Sequence, residues 1–260
     1  MMAKHGDVAT GPGWELRCGA WQDVLADVEC DALITDPPYS ARTHKGHDGG
    51  ANVSADAKSK GAGDGSYRRE LNYAPMGTAG AYEVAGIGAR GWHVVLTDHL
   101  LAPEFERAWQ GVGRCTFAPL VWYSPGSRVR LQGDGPACWT CQIVVSRPRS
   151  KEFSTWGALP GGYAGPSVRG AAVVGAKPLW LMQAIVRDYS RPGDLVCDPY
   201  AGGGTTLLAA VMEGRRAIGA ELDPVTFDKA VARLRKGYTP DMFAQRALAD
   251  VQAVEQELPW

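Results

Sequence analysis

Hydrophobic and polar positions follow two rhythms along this chain. Trp14 to Arg17 has the alternation of an extended strand, and Ala20 to Val28 puts Trp21, Val24, Leu25 and Val28 on one face of a helix. Ala32 to Thr35 is a short apolar run of strand length. Asp36-Pro37-Pro38-Tyr39 ends it, because two prolines extend neither a helix nor a strand ladder. Trp92 to Thr97 reads as a strand and Ala102 to Gln110 as a helix with Pro103 in its first turn; Cys115 to Tyr123 and Thr140 to Ser146 read as two further strands. The last third alternates regularly. Pro178 to Tyr189 is an amphipathic helix, Leu195 to Cys197 a strand, Thr205 to Gly214 a helix, Ala217 to Ala220 a strand, and Val225 to Lys236 a helix. This is the order of an α/β fold.

Two stretches break the rhythm. Residues 40–80 open with a Gly-, Ala-, Ser- and Lys-rich run almost without large apolar side chains, which predicts a long mobile loop. Residues 147–171 are rich in Gly, Pro and basic side chains and hold Phe153, Trp156 and Tyr163, which predicts a small irregular insert.

Composition narrows the class. The hydrophobic fraction is 45%, enough to build a core in a chain of 260 residues. No apolar run reaches the roughly 20 residues needed to span a bilayer, and the first residues lack the apolar segment of a secretory signal. The six cysteines are scattered, as expected of a reduced cytoplasmic protein. Cys138-Trp139-Thr140-Cys141 has no second ligand pair spaced for zinc, so no metal is expected. Net charge is −1, but residues 40–177 hold 16 basic and 10 acidic groups, so a phosphate backbone is best received in the middle of the chain.

Two strand-end signatures carry the candidate chemistry. Each sets an acid and a tight turn at the carboxyl end of a strand, where open α/β sheets bind ligands. The second runs Asp198-Pro199-Tyr200-Ala201-Gly202-Gly203-Gly204-Thr205-Thr206. A strand, three glycines and a helix opening at Thr205 build a backbone concavity suited to an anion or a cofactor's carboxylate. It is neither a Walker loop nor a GxGxxG fingerprint. Glu221 ends the next strand about twenty residues on, where an acid can accept hydrogen bonds from both hydroxyls of a ribose. Either turn could also serve packing alone.

Together the two signatures, with Lys177-Pro178 ahead of an amphipathic helix, resemble the β-group DNA amino-methyltransferases. In that family the catalytic motif comes first, a recognition segment lies in the middle and the cofactor motifs come last. The resemblance covers roughly residues 14–39 and 92–236. It implies one Rossmann-like methyltransferase domain over residues 1–260. Its sheet would have seven strands, mostly parallel and circularly ordered, with one antiparallel strand near an edge. It further implies that Lys177, Asp198, Pro199, Tyr200, Ala201, Gly202, Gly204, Thr205, Thr206, Glu221, Leu222 and Asp223 surround S-adenosylmethionine, with Asp36 between cofactor and target.

By the same resemblance Asp36, Pro37, Pro38 and Tyr39 are catalytic. Asp36 and the Pro37 carbonyl accept from an exocyclic amine, and Tyr39 stacks on a base flipped out of the duplex. His44 and Lys45 follow the turn as candidate lid residues, and Arg128, Arg130, Arg147, Arg149 and Lys151 are candidate phosphate contacts. Asp at the head of the tetrapeptide favours N6 of adenine over N4 of cytosine. Methyltransferases of RNA or protein glutamine usually place the glycine motif first; an inactive DNA-binding module would not need an intact Asp36. The chain departs from the family at Gly19-Ala20, where Gly-Asp is common, and in its small recognition segment. These features suggest short or relaxed specificity in a solitary, phage-type enzyme acting on DNA as a monomer or homodimer.

Overall fold

A computed structural model describes residues 2–48, 73–126, 138–168, 173 and 175–237. The chain forms two compact units, one of residues 1–28 and 167–260 and the other of residues 29–166.

The first unit holds β1 (Val8–Gly11), β2 (Trp14–Cys18), α1 (Trp21–Val24), β9 (Leu195–Asp198) and β10 (Arg216–Glu221). β1 and β2 form an antiparallel hairpin, which the sequence pattern did not announce. β2, β10 and β9 run parallel, with Glu221 opposite Cys18 and Gly219 opposite Asp198. The register brings the carboxyl ends of the three parallel strands to one edge. Three helices, Leu179–Tyr189, Thr205–Met212 and Pro224–Lys236, bury an apolar stripe that includes Leu181, Ile185, Leu207, Phe227 and Leu234. Each such side chain contributes roughly 1.5–3 kcal/mol by leaving water.

α1 stops at Val24, four residues before the predicted end. Arg17 explains the difference. Its Nη1 donates to the Val24 carbonyl at 2.6 Å and to Asp27 at 2.6 Å, and Val28 N–H turns back to Leu25 instead. The carbonyl that would carry the helix on is thereby occupied.

The second unit holds β3 (Ala32–Thr35), β4 (His93–Thr97), β5 (Cys115–Thr116), β6 (Leu120–Tyr123), β7 (Thr140–Arg147) and β8 (Gly162–Ala164). Their spatial order is β3-β4-β7-β6-β8, with β5 also on β7. β7 is antiparallel to β4, β5 and β6, whereas β3–β4 and β6–β8 are parallel. Thr35 faces Val95, Thr97 faces Gln142, and Gln142 faces Val121. The residues after β3 and β4 and the start of β7 therefore share one edge, and the end of β7 lies at the other.

Several expectations are corrected here. The described residues contain ten strands, not seven, and four antiparallel pairings, not a single antiparallel strand. The predicted strand Cys115 to Tyr123 is broken around Pro119, which has no N–H to give a ladder. The predicted loop at 40–80 opens with a helix, Ala41–Asp48, and closes with another, Thr78–Ala85; residues 49–72 lie outside the described residues. The first of these helices has little apolar surface, so periodicity could not find it; polar anchors fix its start, as shown below. The 147–171 insert contributes a short helix, Lys151–Ser154, and β8. No described helix is long and apolar enough to cross a membrane.

Candidate active site

In the second unit the Asp36-Pro37-Pro38-Tyr39 turn leaves the fully buried strand β3. Its exit is fastened twice. The Tyr39 carbonyl accepts from Met76 N–H at 3.0 Å. Ser40 then meets Asp98, which follows β4 and is 8% exposed. Asp98 Oδ2 accepts from Ser40 N (3.0 Å), Ser40 Oγ (2.5 Å) and Thr43 Oγ1 (2.5 Å), while Oδ1 accepts from the N–H groups of Leu100 and Leu101 at 3.1 Å. Burial alone would raise the Asp98 carboxyl, but these donors outweigh it and hold it below the usual value. Asp98 thus starts the helix after the turn while closing the loop after β4. Nothing local in the sequence marks it.

Tyr39 is half-buried. Its hydroxyl is enclosed, 2.9 Å from the Cys141 Sγ of β7. Burial pushes the phenol well above its usual value, and the neighbouring Asp36 and Cys141 push it further. The ring is tethered at its tip. A planar group could stack there with its amine against a carboxylate.

In the first unit Asp198 is 2% exposed, and its Oδ1 accepts from Tyr200 N at 3.1 Å, which bends the chain into the glycine turn. Gly202 and Gly204 have φ of +51° and +73°, a region that penalises any side chain. A Cβ at Gly204 would lie 3.3 Å from Leu234, so this glycine packs the turn onto the last helix; a Cβ at Gly202 would meet only the Tyr200 carbonyl, at 3.9 Å. The open side of the turn is at Gly202. Helix Thr205–Met212 has no side-chain cap, leaving its first N–H groups for a ligand.

Two residues missed by the sequence reading steady this turn. Arg233 Nη1 donates to Gly203 O (2.9 Å) and Thr205 Oγ1 (2.8 Å), and burial lowers its pKa. Trp21 Nε1 donates to the Tyr200 hydroxyl at 3.0 Å. The i, i+3 spacing of Ala230 and Arg233 around a buried stripe could have hinted at the first; nothing pointed to the second.

Glu221 ends β10 on the same edge as Asp198. Burial raises its carboxyl, the N–H groups of Asp223 and Gly202 oppose that, and the Asp223 and Asp198 charges add to it. Among the described residues it receives backbone donors and no cation, so a ligand offering hydroxyl donors suits it. Asp223, expected beside the cofactor, accepts from Thr226 N (2.9 Å) and Thr226 Oγ1 (2.7 Å) and so caps the final helix. Leu222 is 66% exposed. Lys177 Nζ donates to the Gly175 carbonyl at 3.3 Å, and Pro178 precedes helix Leu179–Tyr189. Thr205 and Thr206 are buried. The glycine turn, the uncapped helix start, the acid and the exposed leucine lie at one edge of the first unit.

The candidate DNA contacts are dispersed. His44 is 8% exposed and meets the Tyr73 ring edge-on at 5.2 Å. Lys45 lies in the same helix, and Arg128 and Arg130 lie outside the described residues. Arg147, Arg149 and Lys151 line a shallow pocket of about 340 Å³ with Cys115, Ser150 and Ser154. That pocket is at the far end of β7, six residues or about 20 Å from Cys141. Phe153 and Trp156 stack on each other at 5.4 Å and meet the buried Trp92 edge-on, so these rings are spent on packing. Tyr123 and Trp139, both exposed, lie at the edge near Tyr39.

Known proteins resemble this chain in segment and in fold. Residues 150–232 match the model of the DNA methylase family of N6 and N4 methyltransferases. The DNA adenine methyltransferase YhdJ of Escherichia coli is 40% identical over 58 residues, 22% of this chain and 20% of YhdJ. The type II methyltransferase M.BglI of Bacillus subtilis is 40% identical over 86 residues, 32% of this chain and 24% of M.BglI. The chain's matches span about a fifth of the length of these curated relatives. Among solved structures, M1.HpyAVI in complex with SAM superposes with a TM-score of 0.59 at 19% identity, covering 85% of this chain and 98% of that one. The cytosine-N4-specific PvuII DNA methyltransferase gives 0.61 at 14% identity, covering 93% and 92%. The fold is like that of these solved DNA methyltransferases, and residues 150–232 are similar to the DNA methylase family of N6 and N4 methyltransferases.

Proposed function

We propose that this protein transfers a methyl group from S-adenosylmethionine to the exocyclic N6 of adenine in DNA, on a base flipped from the duplex, with short or relaxed sequence specificity. The observation that carries the reading is the Asp36-Pro37-Pro38-Tyr39 turn: a strand-end carboxylate with a tethered, half-buried ring beside it. The match of residues 150–232 and the adenine-specific relative YhdJ support it.

The residues of the first unit fit the cofactor. The free helix start at Thr205 and Thr206 and the open turn at Gly202 take its carboxylate. Asp198, Pro199, Tyr200, Ala201 and Gly204 hold that turn in shape. Glu221 accepts from the ribose hydroxyls, Leu222 covers the adenine, and Lys177 and Asp223 flank the site. Bound there, the cofactor supplies an electrophilic methyl group. Asp36 and the Pro37 carbonyl accept the two amine hydrogens of the target base, which raises electron density on its nitrogen and fixes its direction. Tyr39 stacks on the flipped base, and Pro37-Pro38 keep the turn rigid. His44, Lys45, Arg128, Arg130, Arg147, Arg149 and Lys151 remain candidate DNA contacts, the last three suited to phosphates distant from the target.

Cytosine-N4 transfer is the second reading, favoured by the fold likeness to the PvuII enzyme. Tritiated-methyl transfer to unmethylated DNA tests the mechanism. Wild type should label DNA, and Asp36→Ala should lose transfer by roughly a hundredfold or more while binding S-adenosylmethionine nearly as well. Undiminished labelling by Asp36→Ala would sink it.

A further inference from the structure

Cys141 belongs to neither signature, and its nearest neighbours in sequence suggested only a strand cysteine. It is the second residue of β7, 9% exposed, and β7 is flanked there by β4 and β6. Its Sγ lies 2.9 Å from the Tyr39 hydroxyl, across 102 residues of sequence, and 3.6 Å from the Thr97 carbonyl. The Asp36 carboxylate acts on the same hydroxyl and raises its pKa. A phenol has one proton. The thiol also has one proton, with the Thr97 and Gln142 carbonyls at 3.6 and 3.5 Å as longer alternatives; with the phenol donating to the Asp36 carboxylate and the thiol to the phenol, the three form a chain of one polarity.

We propose that Cys141 is a positioning residue for the Asp36–Tyr39 pair: by holding the Tyr39 hydroxyl against a rigid central strand, it sets the ring plane and keeps the carboxylate beside it. This rests on the reading that Asp36 and Tyr39 receive the target base. The turn itself ends a strand and enters a helix, so its backbone is fixed by Asp98 and Met76, but the backbone leaves the two side-chain torsions of Tyr39 free. A tether at the ring tip removes that freedom. Sites held by regular elements keep tighter geometry than sites held by loops alone.

Valine is close in shape to cysteine and removes the hydrogen bond; serine keeps a donor. On unmethylated DNA, Cys141→Val should lower kcat roughly tenfold with little change in KM for S-adenosylmethionine, and Cys141→Ser should recover most of it. Tyr39→Phe should lower kcat similarly, and the double variant Tyr39→Phe/Cys141→Val should be no worse than the poorer single one. Unchanged kcat in Cys141→Val, or losses that multiply in the double variant, would overturn the proposal. A second readout needs no DNA. In protein with ¹³Cζ-labelled tyrosine, the Tyr39 resonance (identified by its loss in Tyr39→Phe) should shift in Cys141→Val and return in Cys141→Ser; a stationary resonance overturns the tether. If Cys141→Val does not fold, Cys141→Ala carries the same expectations. Failure of the functional reading shows separately, as wild-type protein that labels no DNA while the resonance still shifts.

Discussion

The glycine turn after β9 and the Asp36 turn after β3 both place an acid at the end of a parallel strand, yet opposite devices hold them. The glycine turn is fixed by backbone shape: left-handed glycines, a helix packed closely against Gly204 and a guanidinium on the Gly203 carbonyl. The Asp36 turn is fixed by side chains from distant strands, Asp98 after β4 and Cys141 in β7. A turn held by shape fails when something is added to it. A turn held by hydrogen bonds fails when a partner is removed.

The largest effect is expected at Asp98. Asp98→Ala leaves the hydroxyls of Ser40 and Thr43 and three backbone N–H groups without their acceptor, and calorimetry should find stability lower by about 3 kcal/mol. Because Asp98 serves only the second unit's turn, cofactor affinity should change less than twofold; a large loss would erase the contrast between the turns. Gly204→Ala should do the reverse. A left-handed alanine costs about 1–2 kcal/mol, and its Cβ would press on Leu234, so cofactor affinity should fall roughly tenfold by titration calorimetry. Arg233→Gln keeps a donor but loses the fork, and a threefold to fivefold weakening of cofactor binding is expected, on the scale of one hydrogen bond.

The smallest effects are in pH, and the two acids have opposite signs. Asp98 titrates below its unfolded value, so its contribution is complete above the usual carboxylate range and is lost as pH falls through its folded value. Glu221 titrates above its unfolded value, so the folded protein binds the extra proton, and stability declines as pH rises from the usual carboxylate range to the folded value. Melting curves between about pH 3 and 7 should therefore lose an acid-side fall in Asp98→Asn and a decline toward neutral pH in Glu221→Gln. Identical profiles for both variants would contradict the assignment.

The contrast also explains what the sequence made legible. Apart from the Trp21–Tyr200 hydrogen bond, the glycine turn depends on residues within forty positions of one another, and strand, glycines, helix and Glu221 all stand where the pattern put them, with ends shifted by one or two residues. The tetrapeptide at 36–39 was equally visible, but its supports were not. Asp98 and Cys141 lie 58 and 102 residues from their partners, and a lone acid after a strand or a cysteine within one carries no local signal. The helix Ala41–Asp48 was hidden for a related reason: polar anchors start it, so its composition resembles a loop. The polar neighbours of Phe153 and Trp156 concealed the packing of their rings against Trp92. Antiparallel β7 followed from no periodicity, since direction is set by pairing and not by pattern.

The central claim is that the methyl group lands on an exocyclic base nitrogen in DNA. Mass spectrometry of the nucleosides from unmethylated DNA, after incubation with the protein and S-adenosylmethionine, tests it most directly. The account predicts N6-methyldeoxyadenosine, absent when Asp36→Ala replaces the wild type. N4-methyldeoxycytidine would contradict the adenine assignment, and no methylated deoxynucleoside from protein that binds the cofactor would contradict the claim itself.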